Sequence, residues 1–214
     1  MDPTRPHEVR EAPSSHPVFA LLVVWLTLAL GAGLSGRVAA LPPPAPQVLL
    51  ILLTLWALWV FNRVRALRMW VDAVDSRVLV TLHLTRFVGA YFLVLYGRGD
   101  LPFAFAIPGG LGDILVAAWA LTLLLGILVD TPAGRRAYRV WNVVGLIDIL
   151  LVVTTAARLG VAAPAAMAAL LRLPLSLLPR FLVPLIIASH VQLFRRLRTT
   201  NLAALPVCKA PHGG

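Results

Sequence analysis

Apolar residues in this chain come in long, nearly unbroken runs rather than alternating with polar ones. Six runs approach the length of a bilayer crossing, at about 18–36, 48–62, 78–97, 111–129, 139–157 and 181–194. An α-helix needs roughly 20 such residues to cross ~30 Å of hydrocarbon. In lipid a backbone satisfies its hydrogen bonds only within helices or a closed barrel. No period-two alternation appears, and leucine and alanine dominate, so the runs predict helices. The expected fold class is an all-α polytopic membrane bundle of six transmembrane helices at 18–198. The flanking segments 1–17 and 199–214, rich in proline, serine, histidine and glycine, read as disordered cytoplasmic tails.

Residues 161–180, "VAAPAAMAALLRLPLSLLPR", are the weak point, since they are apolar yet contain Arg172, Pro164 and Pro174. Charge asymmetry decides the count, because cytoplasmic loops collect Lys and Arg. With six spans, one side holds Arg5, Arg10, Arg63, Arg65, Arg68, Arg77, Arg135, Arg136, Arg139, Arg195, Arg196, Arg198 and Lys209. The other side holds only Arg37, Arg98, Arg158, Arg172 and Arg180. A seventh span would move the C-terminal charges outward and erase most of this bias. Both termini are therefore expected in the cytoplasm, with 161–180 an outer loop or a half-inserted hairpin.

Composition sharpens the picture. The chain is 59% hydrophobic and 13% charged, where soluble domains carry about a quarter charged residues. A net charge of +10 reads as orientation and attraction to anionic inner-leaflet lipids. It does not read as nucleic-acid binding, since no stretch combines a basic face with interleaved aromatics. Arginine outnumbers lysine 18 to 1, which suggests a GC-rich bacterial source and hence the bacterial cytoplasmic (inner) membrane. The single cysteine, Cys208, excludes an internal disulfide and a Cys-rich metal site. "GRVAAL" offers a signal-peptidase pattern after the first span, but that run is longer than a signal core and lacks a basic leader.

Polar residues at depth carry the information in such a protein, because a mid-bilayer charge costs about 2.5–3.5 kcal/mol on insertion scales and seeks a partner. The candidates are His83, Arg86, Asp113, Asn142, Asp148 and His190. Arg86 follows Arg77 by nine residues and Asp148 follows Arg139 by nine, so each lies roughly 13 Å inside at the helical rise. A pair bridging the third and fifth spans is expected. It serves either to fix helix register or, with Asp113 and Asn142, as a polar relay or ion pathway. His83 and His190 lie at similar depths, about 9 and 7–8 Å from the cytoplasmic boundary. Two such histidines suit the axial ligands of a b-type haem; ordinary interhelical hydrogen bonding is the competing reading. Trp141, Gly145 and Asp148 fall on one helical stripe, with Trp141 and Tyr138 placed for an inner aromatic belt.

No zinc-protease motif, nucleophile elbow or Walker sequence appears, so no catalytic residues and no metal site are expected. Asp113 and Asp148 do not suggest an aspartyl dyad. With a helix starting at Leu111, their depths differ by roughly 10 Å, whereas a dyad needs carboxylates about 3 Å apart. The stretch "AIPGGLGDILV" at 106–116 is not a dinucleotide fingerprint, because Leu115 stands at the third glycine position and no strand precedes it. Pro108 and its glycines read as a chain break, with Asp113 in the first turn of the next helix, where the dipole favours a carboxylate. If "LPFAFAI", 101–107, dips into the bilayer, Asp113 moves inward toward Arg86.

Arg86 and Gly89, then Pro108, Gly110, Gly112 and Asp113, then Trp141, Asn142, Gly145 and Asp148 form three spaced elements. Across roughly 80–198 the chain resembles a family of small, uncharacterised bacterial multi-pass membrane proteins. That resemblance implies the helical membrane architecture and supplies no activity. The functional expectation is a small transporter or permease-like subunit, assembled as a homo-oligomer, with a buried relay. A haem-carrying redox protein using His83 and His190 and a non-catalytic assembly subunit are the alternatives.

Overall fold

The computed structural model describes residues 16–126 and 131–203, and among these there are helices and turns but no strand. Helices α1 (His16–Leu34) and α2 (Ala45–Arg63) come first, touching through the edge-to-face rings of Trp25 and Trp56, 5.1 Å apart. A short amphipathic helix, α3 (Arg65–Ala73), follows; it buries Leu67 and Val71 and leaves Arg65 and Arg68 exposed. Next comes one continuous rod of three parts: α4 (Ser76–Thr81), a 3₁₀ stretch at Leu82–Val88, and α5 (Gly89–Gly97). Then come α6 (Phe103–Gly126) and α7 (Pro132–Ala162). Last are a 3₁₀ helix at Pro164–Leu171, a π-helical turn at Leu178–Leu182 and α8 (Val183–Ala203).

Five of these units are long and apolar enough to cross a membrane: α1, α2, the Ser76–Gly97 rod, α6 and α7. Their outward faces carry Val23, Leu28, Leu52, Leu55, Leu115, Leu125 and Leu151, all more than half exposed. Water is a poor solvent for that surface and hydrocarbon a good one. α8 does not reach the same standard, because Arg195, Arg196 and Arg198 occupy its later turns. It is nonetheless the innermost helix, burying Val183, Leu185, Ile186, Ile187, Ala188, Ser189, His190, Gln192 and Leu193 in close succession. A helix surrounded by protein needs no lipid-compatible face, which is why hydropathy alone underrates it.

Four expectations require correction. The fourth helix begins at Phe103, eight residues before Leu111, so Pro108 and the glycines of 109–112 lie inside α6. Residues 161–180 are not a plain loop: Met167 and Leu175 pack with Phe92, Leu101 and Phe105 in one apolar layer. Arg180, counted among the outer-loop charges, is only 4% exposed, and its carbonyl accepts a hydrogen bond from Trp25 Nε1 at 2.9 Å. α8 continues through Ala203, into the segment expected as a C-terminal tail. The expectations for 1–15 and 204–214, Cys208 included, fall outside the described residues.

Two apolar layers bracket the middle of the bundle. One, around Val116, Ala120, Leu123, Tyr138, Trp141 and Leu193, joins α6, α7 and α8 at the end where α7 starts. The other, around Phe92, Phe105 and Ala106, lies where α7 ends. Along α6, Asp113 falls between Ala106 and Val116, so the polar residues of the core are held between two dry layers.

Candidate functional site

The site begins with an arginine. Arg86 is 1% exposed and all its nitrogens have acceptors. Nε donates to Asp113 Oδ1 at 2.6 Å, Nη1 to the Gly145 carbonyl at 2.9 Å, and Nη2 to Asp148 Oδ2. Arg86 thus meets Asp148 on α7, and it also meets Asp113 on α6. The depth argument that kept the two aspartates apart fails at its premise. With α6 starting at Phe103, Asp113 is ten residues into the helix rather than in its first turn. Two carboxylates from two helices therefore converge on one guanidinium. They differ in access: the Asp113 side chain is 5% exposed and that of Asp148 is 20% exposed.

The local backbone explains how three helices come this close. In the 3₁₀ stretch Leu82–Val88, side chains three apart eclipse one another, so His83 and Arg86 share a line along the rod. Gly89 and Gly110 then let the rod touch α6. A Cβ at Gly110 would lie 2.8 Å from the Gly89 carbonyl oxygen, and one at Gly89 would collide with the Gly110 carbonyl oxygen. A Cβ at Gly112 would run into Asp148 Oδ1. A Cβ at Gly145 would lie 2.8 Å from His190 Cε1. "PGGLGD" is accordingly a helix-crossing element that clears space for a carboxylate. It is neither a phosphate loop nor a helix start.

Next to the ion cluster stand the two histidines, both 0% exposed. In the neutral form of each ring, hydrogen bonding fixes which nitrogen carries the proton. Asn142 Nδ2 donates to the His190 backbone carbonyl at 3.1 Å, which turns Asn142 Oδ1 toward the ring. Oδ1 lies 2.9 Å from His190 Nδ1, so Nδ1 carries the proton and Nε2 the lone pair. Ser189 Oγ donates its single proton to the Ile186 carbonyl at 2.8 Å and so accepts from His83 Nε2 at 2.9 Å. His83 therefore keeps its lone pair on Nδ1. Neither bare nitrogen, His83 Nδ1 or His190 Nε2, has a hydrogen-bond partner. Both are buried acceptors beside a cluster of acids.

The imidazoles touch, with centroids 4.2 Å apart. Trp141 closes the group, 4.8 Å from His83 and 5.7 Å from His190, and donates to the Val116 carbonyl at 3.0 Å. Haem ligation by both histidines at once would require the rings to be drawn apart, since no porphyrin-wide gap separates them. Trp141 and Tyr138, expected in an interfacial belt, are instead core residues at 0% and 1% exposure. Sequence reasoning missed Ser189, which orients His83. Its signal was its place directly before His190 on a helix.

Two cavities that share Thr155 lie between the cluster and the end where α7 stops. Asp148 lines a cavity of about 90 Å³ with Phe105, Pro108, Gly109 and Thr155. Thr155 also lines a wider cavity of about 310 Å³ with Ala104, Arg158, Leu159 and Ala162.

Fold and site together define a helical bundle with the helices of a membrane protein and an ion cluster at its centre. The chain belongs to the family of a domain of unknown function, DUF8737, whose model matches residues 43–198. The matched stretch contains every residue of the polar centre and excludes α1. No curated protein and no solved structure matches the chain.

Proposed function

We propose that this is a transporter of the bacterial cytoplasmic membrane that moves protons, alone or with a small polar solute, through the Arg86 cluster. In this reading α8 is the sixth span and both termini are cytoplasmic, as the arginine bias favours. The arginines of α3, Arg65 and Arg68, then face anionic inner-leaflet lipids.

One observation carries the reading: a single buried guanidinium holds two carboxylates. With both ionised the cluster has a net charge of −1, and with one proton it is neutral. A net charge at mid-depth is expensive, so the cluster holds one proton that either carboxyl can release. Asp148, the more exposed acid, exchanges it with the cavity lined by Thr155. The bare Nε2 of His190, held against Gly145 by Asn142, receives it on the opposite side, and His83 extends the path. Intramembrane acid–histidine chains of this type mark proton routes.

The test is proton flux into vesicles containing the purified protein and an entrapped pH-sensitive dye, driven by an imposed potential. Wild type is expected to collapse the gradient faster than empty vesicles, and Asp148→Asn to lose that activity while eluting as folded protein. Full flux in Asp148→Asn, or none in wild type, overturns the proposal.

A further inference from the structure

A further cavity, distinct from the ion cluster, lies between α2, α7 and the 3₁₀ segment Pro164–Leu171. Its volume is about 360 Å³, within the ~300–1,000 Å³ of small-molecule sites. Its walls are apolar, formed by residues such as Leu41, Leu50, Val153, Met167, Leu170 and Leu171, and no charged side chain lines it. Among the lining side chains one is polar, Gln47. Gln47 Oε1 is buried and has no hydrogen-bond partner. The amide is seated against Gly160, where a Cβ would stand 2.5 Å from Nε2. A buried acceptor left without a donor is destabilising, and a ligand that supplies the donor relieves it.

We infer that this cavity binds an uncharged, lipid-soluble molecule carrying a hydroxyl group, which donates to Gln47 Oε1 while its hydrocarbon part lies along the apolar walls. A hydroxyl can satisfy either end of a side-chain amide, and the lack of charge follows from walls that could not compensate one. A smaller cavity of about 70 Å³ shares Leu50, Val153, Ala156, Leu170 and Pro179 with it and ends at Thr85, Arg86 and Asp113. This smaller cavity lies between the bound molecule and the ion cluster. The site stands whether or not the cluster carries protons.

The chemistry fits an isoprenoid alcohol, a quinol or a diacylglycerol, so three radiolabelled probes serve: farnesol, decylubiquinol and dioctanoylglycerol. Binding to the full chain in lipid nanodiscs is compared between each probe and its O-methyl ether. At least one alcohol is expected to bind about tenfold more tightly than its ether, the effect of one good hydrogen bond. The arm that binds identifies the source. Gln47→Leu is expected to erase the alcohol-over-ether preference. Gly160→Ala, which displaces the amide, is expected to reduce that preference. Ala168→Phe, which fills the cavity from the 3₁₀ segment, is expected to weaken alcohol and ether alike by tenfold or more. Folding of each variant is read from helicity and elution volume. Three alcohols that fail to bind, or alcohol and ether binding equally to wild type, overturn the assignment. So does a preference that survives Gln47→Leu in folded protein.

Discussion

Replacing Arg86 by leucine is the most severe single perturbation the bundle offers at its centre. The side chain is 1% exposed and donates to Asp113, Asp148 and the Gly145 carbonyl. Counted as hydrogen bonds alone, at roughly 0.6 kcal/mol each within a membrane, its loss would cost about 2 kcal/mol. The larger effect is electrostatic. Two carboxylates remain between the dry layers without a cation, and breaking a buried pair by removing one partner costs about 3–5 kcal/mol. Removing Asp148, with its side chain 20% exposed, should cost less than removing Asp113 at 5%. Replacing all three charges by leucine removes the orphaned groups with their partners, and such replacements are often neutral or stabilising. The assay is reversible unfolding in mixed micelles, scored by helicity, with folded yield from gel filtration. The expected order of stability has the triple-leucine variant and wild type together at the top, Asp148→Leu below, then Asp113→Leu, then Arg86→Leu. An Arg86→Leu protein within 1 kcal/mol of wild type would refute the reasoning. A triple variant no better than Arg86→Leu would do the same, because the cost would then lie in packing rather than charge.

Gly112→Ala drives a Cβ into Asp148 Oδ1, so overpacking should cost about 1–3 kcal/mol and depress proton flux. Gly31→Ala, which meets nothing within 4 Å in α1, should be neutral or gain up to ~1 kcal/mol from helix propensity; the same unfolding titration reads both. Asn142→Leu breaks both bonds to His190 and frees its ring. Nitrogen-15 NMR of His190 should then report a mixture of tautomers in place of a single Nδ1-protonated form, and an unchanged spectrum contradicts the clamp. The visible spectrum of purified protein should lack a Soret band, given imidazoles in contact at 4.2 Å; a band lost in both His83→Ala and His190→Ala would establish haem ligation instead.

The helices were legible because lipid imposes one crude rule, a long apolar run, and α1, α2, α6 and α7 obey it. The same rule misplaced the start of α6. Pro108 and four nearby polar or small residues signal a break in water, yet a helix packed glycine-to-glycine against Gly89 carries them without interruption. From that shift follows the chief revision at the site. Counting from Leu111 strands Asp113 near the outer surface, and counting from Phe103 brings it to Arg86. The Arg86–Asp148 contact was readable from depth alone, since both residues sit nine positions inside a charged boundary. His83 and His190 were readable as a pair at one depth, but not their proton positions. Those depend on Ser189 and Asn142, partners that only tertiary packing supplies. Trp141 and Tyr138 misled for a related reason: an aromatic at a charged boundary looks the same in sequence whether it faces lipid or the core.

The central claim is that Arg86 holds two aspartates that share a single releasable proton, and infrared spectroscopy of the membrane-embedded protein tests it most directly. At neutral pH wild type should show one protonated-carboxyl stretching band, shifted by deuterium exchange and abolished by Asp148→Asn or Asp113→Asn, since one remaining carboxylate balances the guanidinium. Absence of any protonated carboxyl in folded wild-type protein, or a band indifferent to both substitutions, would contradict the account.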